Sequence, residues 1–179
     1  MKDYVWATRM CNPFTGKITY ELNAFDEMPE GWKLAFGDLM AEDLDRAIKK
    51  AQLEDEFVVE QVKEKYGGLR FYCYPTNDDI ERIIDTYSRL SEHICIKCGK
   101  PDVPMIHDGW ISPWCEDCYC NSNYRTIEGY RRFASEQTRM ADEVRYKLCR
   151  KGELKEVVID LSDTAQKIRD GYENFLKSR

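Results

Sequence analysis

Two C-x-x-C pairs constrain this chain more than anything else in it. The first is Cys95-Ile96-Lys97-Cys98, followed by Gly99-Lys100. The second is Cys115-Glu116-Asp117-Cys118, preceded by Trp114, and sixteen residues lie between Cys98 and Cys115. That spacing is the ligand pattern of a closed four-cysteine zinc site. Each pair makes a small thiolate hook, whose two sulfurs would sit about 3.5–4 Å apart on a tetrahedral ion, given the Zn–S length. Gly99 follows the first hook, where the backbone must turn sharply and a residue without Cβ is least strained. The expected metal ligands are therefore Cys95, Cys98, Cys115 and Cys118. Cys118-Tyr119-Cys120 offers two candidates for the fourth, and Cys118 is preferred because it completes the C-x-x-C with Cys115.

The chain has eight cysteines and two histidines. Cys11, Cys73 and Cys149 read as small buried or half-buried side chains. His93 and His107 are the substitutes for a cysteine ligand, and His107, inside the inter-hook loop, is the better placed. Catalytic zinc keeps a position open for water and usually takes His or a carboxylate among three protein ligands. Four cysteines close the shell, so a structural ion is expected. Neither histidine is followed by Glu at the second position, which excludes the deaminase pattern. Two histidines also leave little room for a hydrolytic triad. The carboxylates Glu42/Asp43/Asp45 and Asp78/Asp79/Glu81 fall on early helix turns, where they offset the helix dipole. The run Lys63–Arg70 holds Gly67-Gly68 but lacks the spacing of a phosphate loop, so a hairpin turn is the better reading.

At 179 residues, 42% hydrophobic and 34% charged, the chain should fold around a core. No run approaches the ~20 apolar residues of a membrane span. The first six residues carry no apolar leader segment, so the expected location is cytoplasmic and reducing. The net charge of −6 is uneven: −7 over residues 1–94, −2 over 95–121 and +3 over 122–179. A nucleic-acid-binding zinc module usually brings an electropositive face, and this middle segment does not.

The periodicities predict an α+β fold in three parts. Residues 1–94 form an α+β domain with a β-hairpin, residues 95–121 a zinc ribbon-like module, and residues 122–179 a helical tail with a short strand. Val5–Met10 and Lys17–Leu22 read as strands joined by a turn at Pro13 and Gly16. A helix through Leu39, Leu44, Ile48 and Ala51 follows Pro29-Glu30-Gly31-Trp32. Glu56–Lys63 and Leu69–Tyr74 flank the Gly-Gly turn. A capping box at Thr76/Asp79 opens a helix through Ile80, Ile83/Ile84, Tyr87, Leu90 and Ile94. The prolines and Asp108-Gly109 between the hooks suggest a short irregular hairpin. From Ile127 to Leu148 a 3-4 spacing predicts one long helix closed by Gly152. Glu156–Leu161 reads as a strand, and Ser162 as the cap of a last helix. Arg125, Arg131, Arg132 and Arg139, interleaved with Tyr124, Tyr130 and Phe133, make a modest basic-aromatic strip interrupted by Glu128 and Glu136.

Gln61-Val62-Lys63-Glu64-Lys65-Tyr66-Gly67-Gly68-Leu69-Arg70-Phe71-Tyr72, then Ile94–Pro101, Asp108-Gly109-Trp110 and Cys115–Cys118, together with Gly31-Trp32 upstream, resemble a group of small, functionally unassigned proteins of bacteriophages and prophage-like regions. The resemblance runs from about residue 28 to 120. In many members the last hook is less regular and carries a histidine, and the tidy Cys115/Cys118 pair departs from that. The resemblance implies phage derivation and brings no activity with it. The expected function is a non-enzymatic, zinc-stabilised adaptor or inhibitor that binds another protein. The alternative is nucleic-acid binding through the zinc module and the basic C-terminal helix.

Overall fold

The computed structural model describes residues 4–178 apart from positions 13, 123, 124, 151 and 152, and leaves aside the side chains at 148–150 and 153. Pro13, Tyr124 and Gly152, and the side chain of Cys149, therefore lie outside the described residues. The fold is α+β. Its four-stranded sheet has the order β2-β1-β3-β4, with β1 (Met10–Cys11) parallel to β3 (Val58–Lys65). The other pairs, β1 with β2 (Ile18–Thr19) and β3 with β4 (Gly68–Tyr74), are antiparallel.

Val5–Thr8, expected as a strand, is a single helical turn, α1. Trp6 and Ala7 are both buried, and neighbouring residues of a strand would face opposite sides. In the second expected strand only Ile18 and Thr19 pair, and Tyr20 and Leu22 stay exposed. The β3–β4 turn also sits one residue earlier than expected. Tyr66 and Gly67, both at positive φ (54° and 78°), form the two-residue loop, and Gly68 already pairs with Lys65. Two left-handed residues match the right-handed twist of the strands they join.

A helical block starts as α2 (Glu30–Trp32), passes through a π turn at Lys33–Gly37 and continues as α3 (Asp38–Lys50). Its apolar stripe of Met40, Leu44 and Ile48 is fully buried in the core. The antiparallel helix α4 (Asp78–Ser91) packs beside it. Phe36 stacks on Tyr87 at 5.4 Å, and the Tyr87 hydroxyl donates to Asp43 Oδ2 at 2.7 Å. The cap of α4 is Asn77, whose Oδ1 accepts the Ile80 N–H at 2.9 Å, while Thr76 donates to Glu81 instead. A capping box at Thr76/Asp79 is not formed.

The long helix expected over 127–148 is absent. Beyond α5 (Glu116–Cys120), α6 spans Ile127–Phe133, and Glu143–Arg150 is a strand, β7. It pairs antiparallel along its whole length with β8 (Glu153–Asp160). Ala134, Gln137 and Ala141 offer little apolar surface to pack, and propensity without a packed stripe does not hold a helix. Val144 and Tyr146 alternate with charged residues, and both pack on the core. The last helix, α7 (Ser162–Lys177), follows as expected. Ser162 does not cap it: its N–H and hydroxyl donate to Asp160 Oδ1 at 2.9 and 2.6 Å. Met140, Ile159, Leu161, Ala165 and Ile168 join the same apolar core as Trp32, Phe36 and Leu90.

Candidate metal centre

The cysteine loop is built around backbone hydrogen bonds that leave the sulfurs pointing inward. Cys95 N–H donates to Lys100 O (2.8 Å) and Gly99 N–H returns to Cys95 O (3.0 Å), closing the first hook. Gly99 stands at φ +77°, a left-handed position that a side chain would strain. Ile96 N–H donates to Pro113 O at 2.9 Å, tying the first hook to the strand that enters the second. That strand is β6 (Trp110–Pro113), paired with β5 (Met105–Asp108) in the expected hairpin. Cys115 is itself the N-cap of α5, and its Sγ accepts the Cys118 N–H at 3.4 Å.

The Sγ atoms of Cys95, Cys98, Cys115 and Cys118 all lie within 4.8 Å of one another. Cys98 and Cys115 sulfurs are 3.7 Å apart, close to the ~3.8 Å edge of a tetrahedron with ~2.3 Å metal–sulfur bonds. Cys95 and Cys115 are buried, and Val103 packs against them. The crowding splits the thiols. The neighbouring Cys115 thiol, with backbone donors behind it, pulls Cys95 down to about 5. Cys115 is driven up by the neighbouring Cys95 sulfur and by burial, and burial pushes Cys118 up to about 12. A divalent cation relieves such competition by taking all four sulfurs as thiolates. The donor set and the spacing fit a metal ion.

Cys120 closes α5 outside this cluster, and neither histidine joins it. His107 is exposed on β5, opposite Ile111. His93 is half-buried, with its Nδ1 unpartnered. Cys11 is buried and accepts the Tyr74 hydroxyl at 3.2 Å, and Cys73 is half-buried on β4.

Sequence reasoning missed what fastens the loop to the body. Gly31 N–H donates to Ile96 O at 3.0 Å, and a Cβ on Gly31 would stand 2.7 Å from Gly99 N. A Cβ on Gly99 would meet Gly31 O at the same distance. The two glycines let α2 lie directly on the first hook. Next to them Trp32, fully buried, donates its Nε1–H to Ile94 O at 2.9 Å. On the other side Asp102 holds the C-terminal segment. Its carboxylate accepts Arg169 Nε and Nη2 (2.7 and 3.0 Å) and the Met140 N–H (2.9 Å). Burial opposes its ionisation, but these donors hold the carboxyl below the usual range. No motif marks Asp102; its positive φ of 55° is tolerated by Asp more readily than by most residues.

The basic-aromatic strip does not form one helix face. Arg125 lies between the rings of Trp114 and Tyr119 (5.1 and 4.8 Å) and pairs with Asp108 at 3.5 Å. Arg131 and Arg132 are exposed on α6, and Arg139 lies beyond its end. No described helix is long and apolar enough to cross a membrane. No protein-family model, curated protein or solved structure matches the chain.

Proposed function

We propose that this chain is a non-enzymatic, cytoplasmic binding protein, phage-derived, in which Cys95, Cys98, Cys115 and Cys118 hold one structural zinc ion and whose ligand is another protein. The observation that carries the metal reading is the four-sulfur cluster itself. Four protein thiolates fill a tetrahedral shell, so the ion has no position for water or substrate. Its role is to lock two hooks, α5 and the α2 contact into one surface. Gly31, Ile96 and Gly99 make that lock part of the body rather than a dangling finger.

What supports partner binding, in an adaptor or inhibitor role, is the charge of the chain around the lock. The acidic body suits a protein ligand better than a duplex. Metal analysis of the purified chain should return one zinc per chain, and none in a Cys98→Ser/Cys118→Ser variant. Crosslinking in the cells that make the protein should capture a defined protein with the intact chain. A capture lost steeply with salt and abolished by nuclease would contradict the reading and favour nucleic acid. Truncation near residue 121 is unsuitable as a control, because it would strip Ile159, Leu161 and Ile168 from the core.

A further inference from the structure

The outer edge of β4 faces a cleft, and the hydrogen-bonding pattern shows what the cleft lacks. β4 is an end strand. The two-residue loop makes Lys65 and Gly68 a bonded pair, so alternate residues of β4 direct their N–H and C=O groups away from β3. Leu69 is the first of these. Its N–H donates to Ser91 Oγ at 2.8 Å, and its carbonyl accepts Ser88 Oγ at 2.9 Å, so α4 covers this part of the edge. The same alternation turns the backbone of Phe71 and Cys73 outward. Among the described residues, no side-chain bond of the kind that serves Leu69 reaches Phe71 or Cys73. Here a cleft of about 670 Å³ opens between β4, α4 and the β7–β8 hairpin. Its size lies within the ~300–1,000 Å³ typical of ligand clefts.

The walls say what would fit. Ile84 of α4 and Val157 of β8 line the cleft with Tyr146. Tyr146 is fixed by its hydroxyl bond to Asp85 (2.6 Å) and by Arg89 over its ring (6.0 Å). The end beside Cys73 is acidic on balance, with Glu60 at the β-bulge and Asp78 and Glu81 at the start of α4, against Arg82 of α4 and Lys155 of β8. Burial, then the charges of Glu60 and Glu81, push the Cys73 thiol up to about 12. Arg89 stands toward the other end, two turns or so along α4 from Glu81.

We propose that β4 is a docking edge: an extended segment of a partner protein adds to the sheet along Phe71–Cys73, with an apolar side chain at its centre and a lysine or arginine beside Glu60 and Glu81. This rests on the protein-binding reading and names its surface. Backbone pairing supplies the attachment, and the apolar wall and acidic end supply the selectivity.

The test uses the full-length, zinc-loaded chain as bait for a random dodecapeptide library, and the best enriched peptide as the probe. The enriched peptides should share a basic residue two to four positions from an apolar one. The probe should slow amide exchange at Phe71 and Cys73. A probe N-methylated at its central residue should bind about tenfold more weakly, for one backbone hydrogen bond lost. Cys73→Pro, which removes an outward N–H and leaves the β3 ladder intact, should do the same. Glu60→Lys/Glu81→Lys should reverse the preference for a basic residue. Equal affinity for the N-methylated probe, or protection away from β4, overturns the edge and leaves protein binding standing. An empty selection while crosslinking captures a partner also overturns the edge alone. An empty selection with no partner captured overturns both.

Discussion

Residues 95–118 and residues 143–160 are both two-stranded additions to the helical body, yet they are held in opposite ways. The cysteine loop is fastened by backbone: hook to hook through Ile96 and Pro113, hook to body through Gly31 and Ile96, with four sulfurs at its centre. The C-terminal hairpin is fastened by side chains: Tyr146 to Asp85, the apolar faces of Val144, Val157 and Ile159, and the Asp102 anchor just outside it. Backbone and metal contacts give a joint that fails all at once. Side-chain contacts give one that loosens by increments.

The largest effect should therefore come from the loop. Replacing Cys115 by Ser removes a buried ligand and a cap together. It should abolish tight zinc binding and lower stability by several kcal/mol, about 10 °C or more in Tm. Calorimetry with and without chelator checks this, and a wild-type Tm indifferent to chelator would break the comparison. Next comes Gly31→Ala, which sets a methyl group into the first hook at a point where the three nearest atoms, from Cys95, Ile96 and Gly99, are all backbone. A loss of about 2–4 kcal/mol is expected, with slower zinc uptake, measured by denaturant unfolding and a zinc chromophore. A neutral Gly31→Ala would show that α2 and the hook can part without cost.

Asp102→Asn keeps an acceptor for Met140 and tolerates positive φ, but cancels the charge facing Arg169. It should cost about 1 kcal/mol, since the pair is partly exposed, and should raise exchange in α7 while zinc stays bound. The carboxyl lies below its unfolded value near 3.9, so its contribution is complete above that value. It is lost as pH falls through the lower folded value. In the wild type α7 should loosen with acid in that window, and Asp102→Asn should lack the step. Smallest is Tyr146→Phe, which deletes one hydroxyl bond to Asp85 and should change stability by about 0.5–1 kcal/mol. Exchange confined to β7 and β8 would sharpen the contrast with the loop.

The same contrast explains what could be read in advance. Ligand spacing is local, so Cys95, Cys98, Cys115 and Cys118 could be proposed from sequence, as could the inter-hook hairpin and the β3–β4 pair. The positions that carry long-range fit were illegible. Gly31 reads as part of a break ahead of a helix, and Asp102 as a residue of the irregular inter-hook hairpin between Pro101 and Pro104. Their partners are 65 and 67 residues away (Ile96 and Arg169). The 127–148 segment misled because Ile127, Tyr130 and Ala134 do have helical spacing, and α6 forms there. Farther on, Val144 and Tyr146 alternate with charged residues, a period of two that the 3-4 spacing masked. Packing against α4 and pairing with β8 decide it.

X-ray absorption at the zinc edge of the purified chain tests the central claim most directly. A single shell of four sulfur scatterers at about 2.3 Å, unchanged by added ligands, is the result this account predicts. An oxygen or nitrogen in that shell, or a fully folded chain that carries no metal, would contradict it.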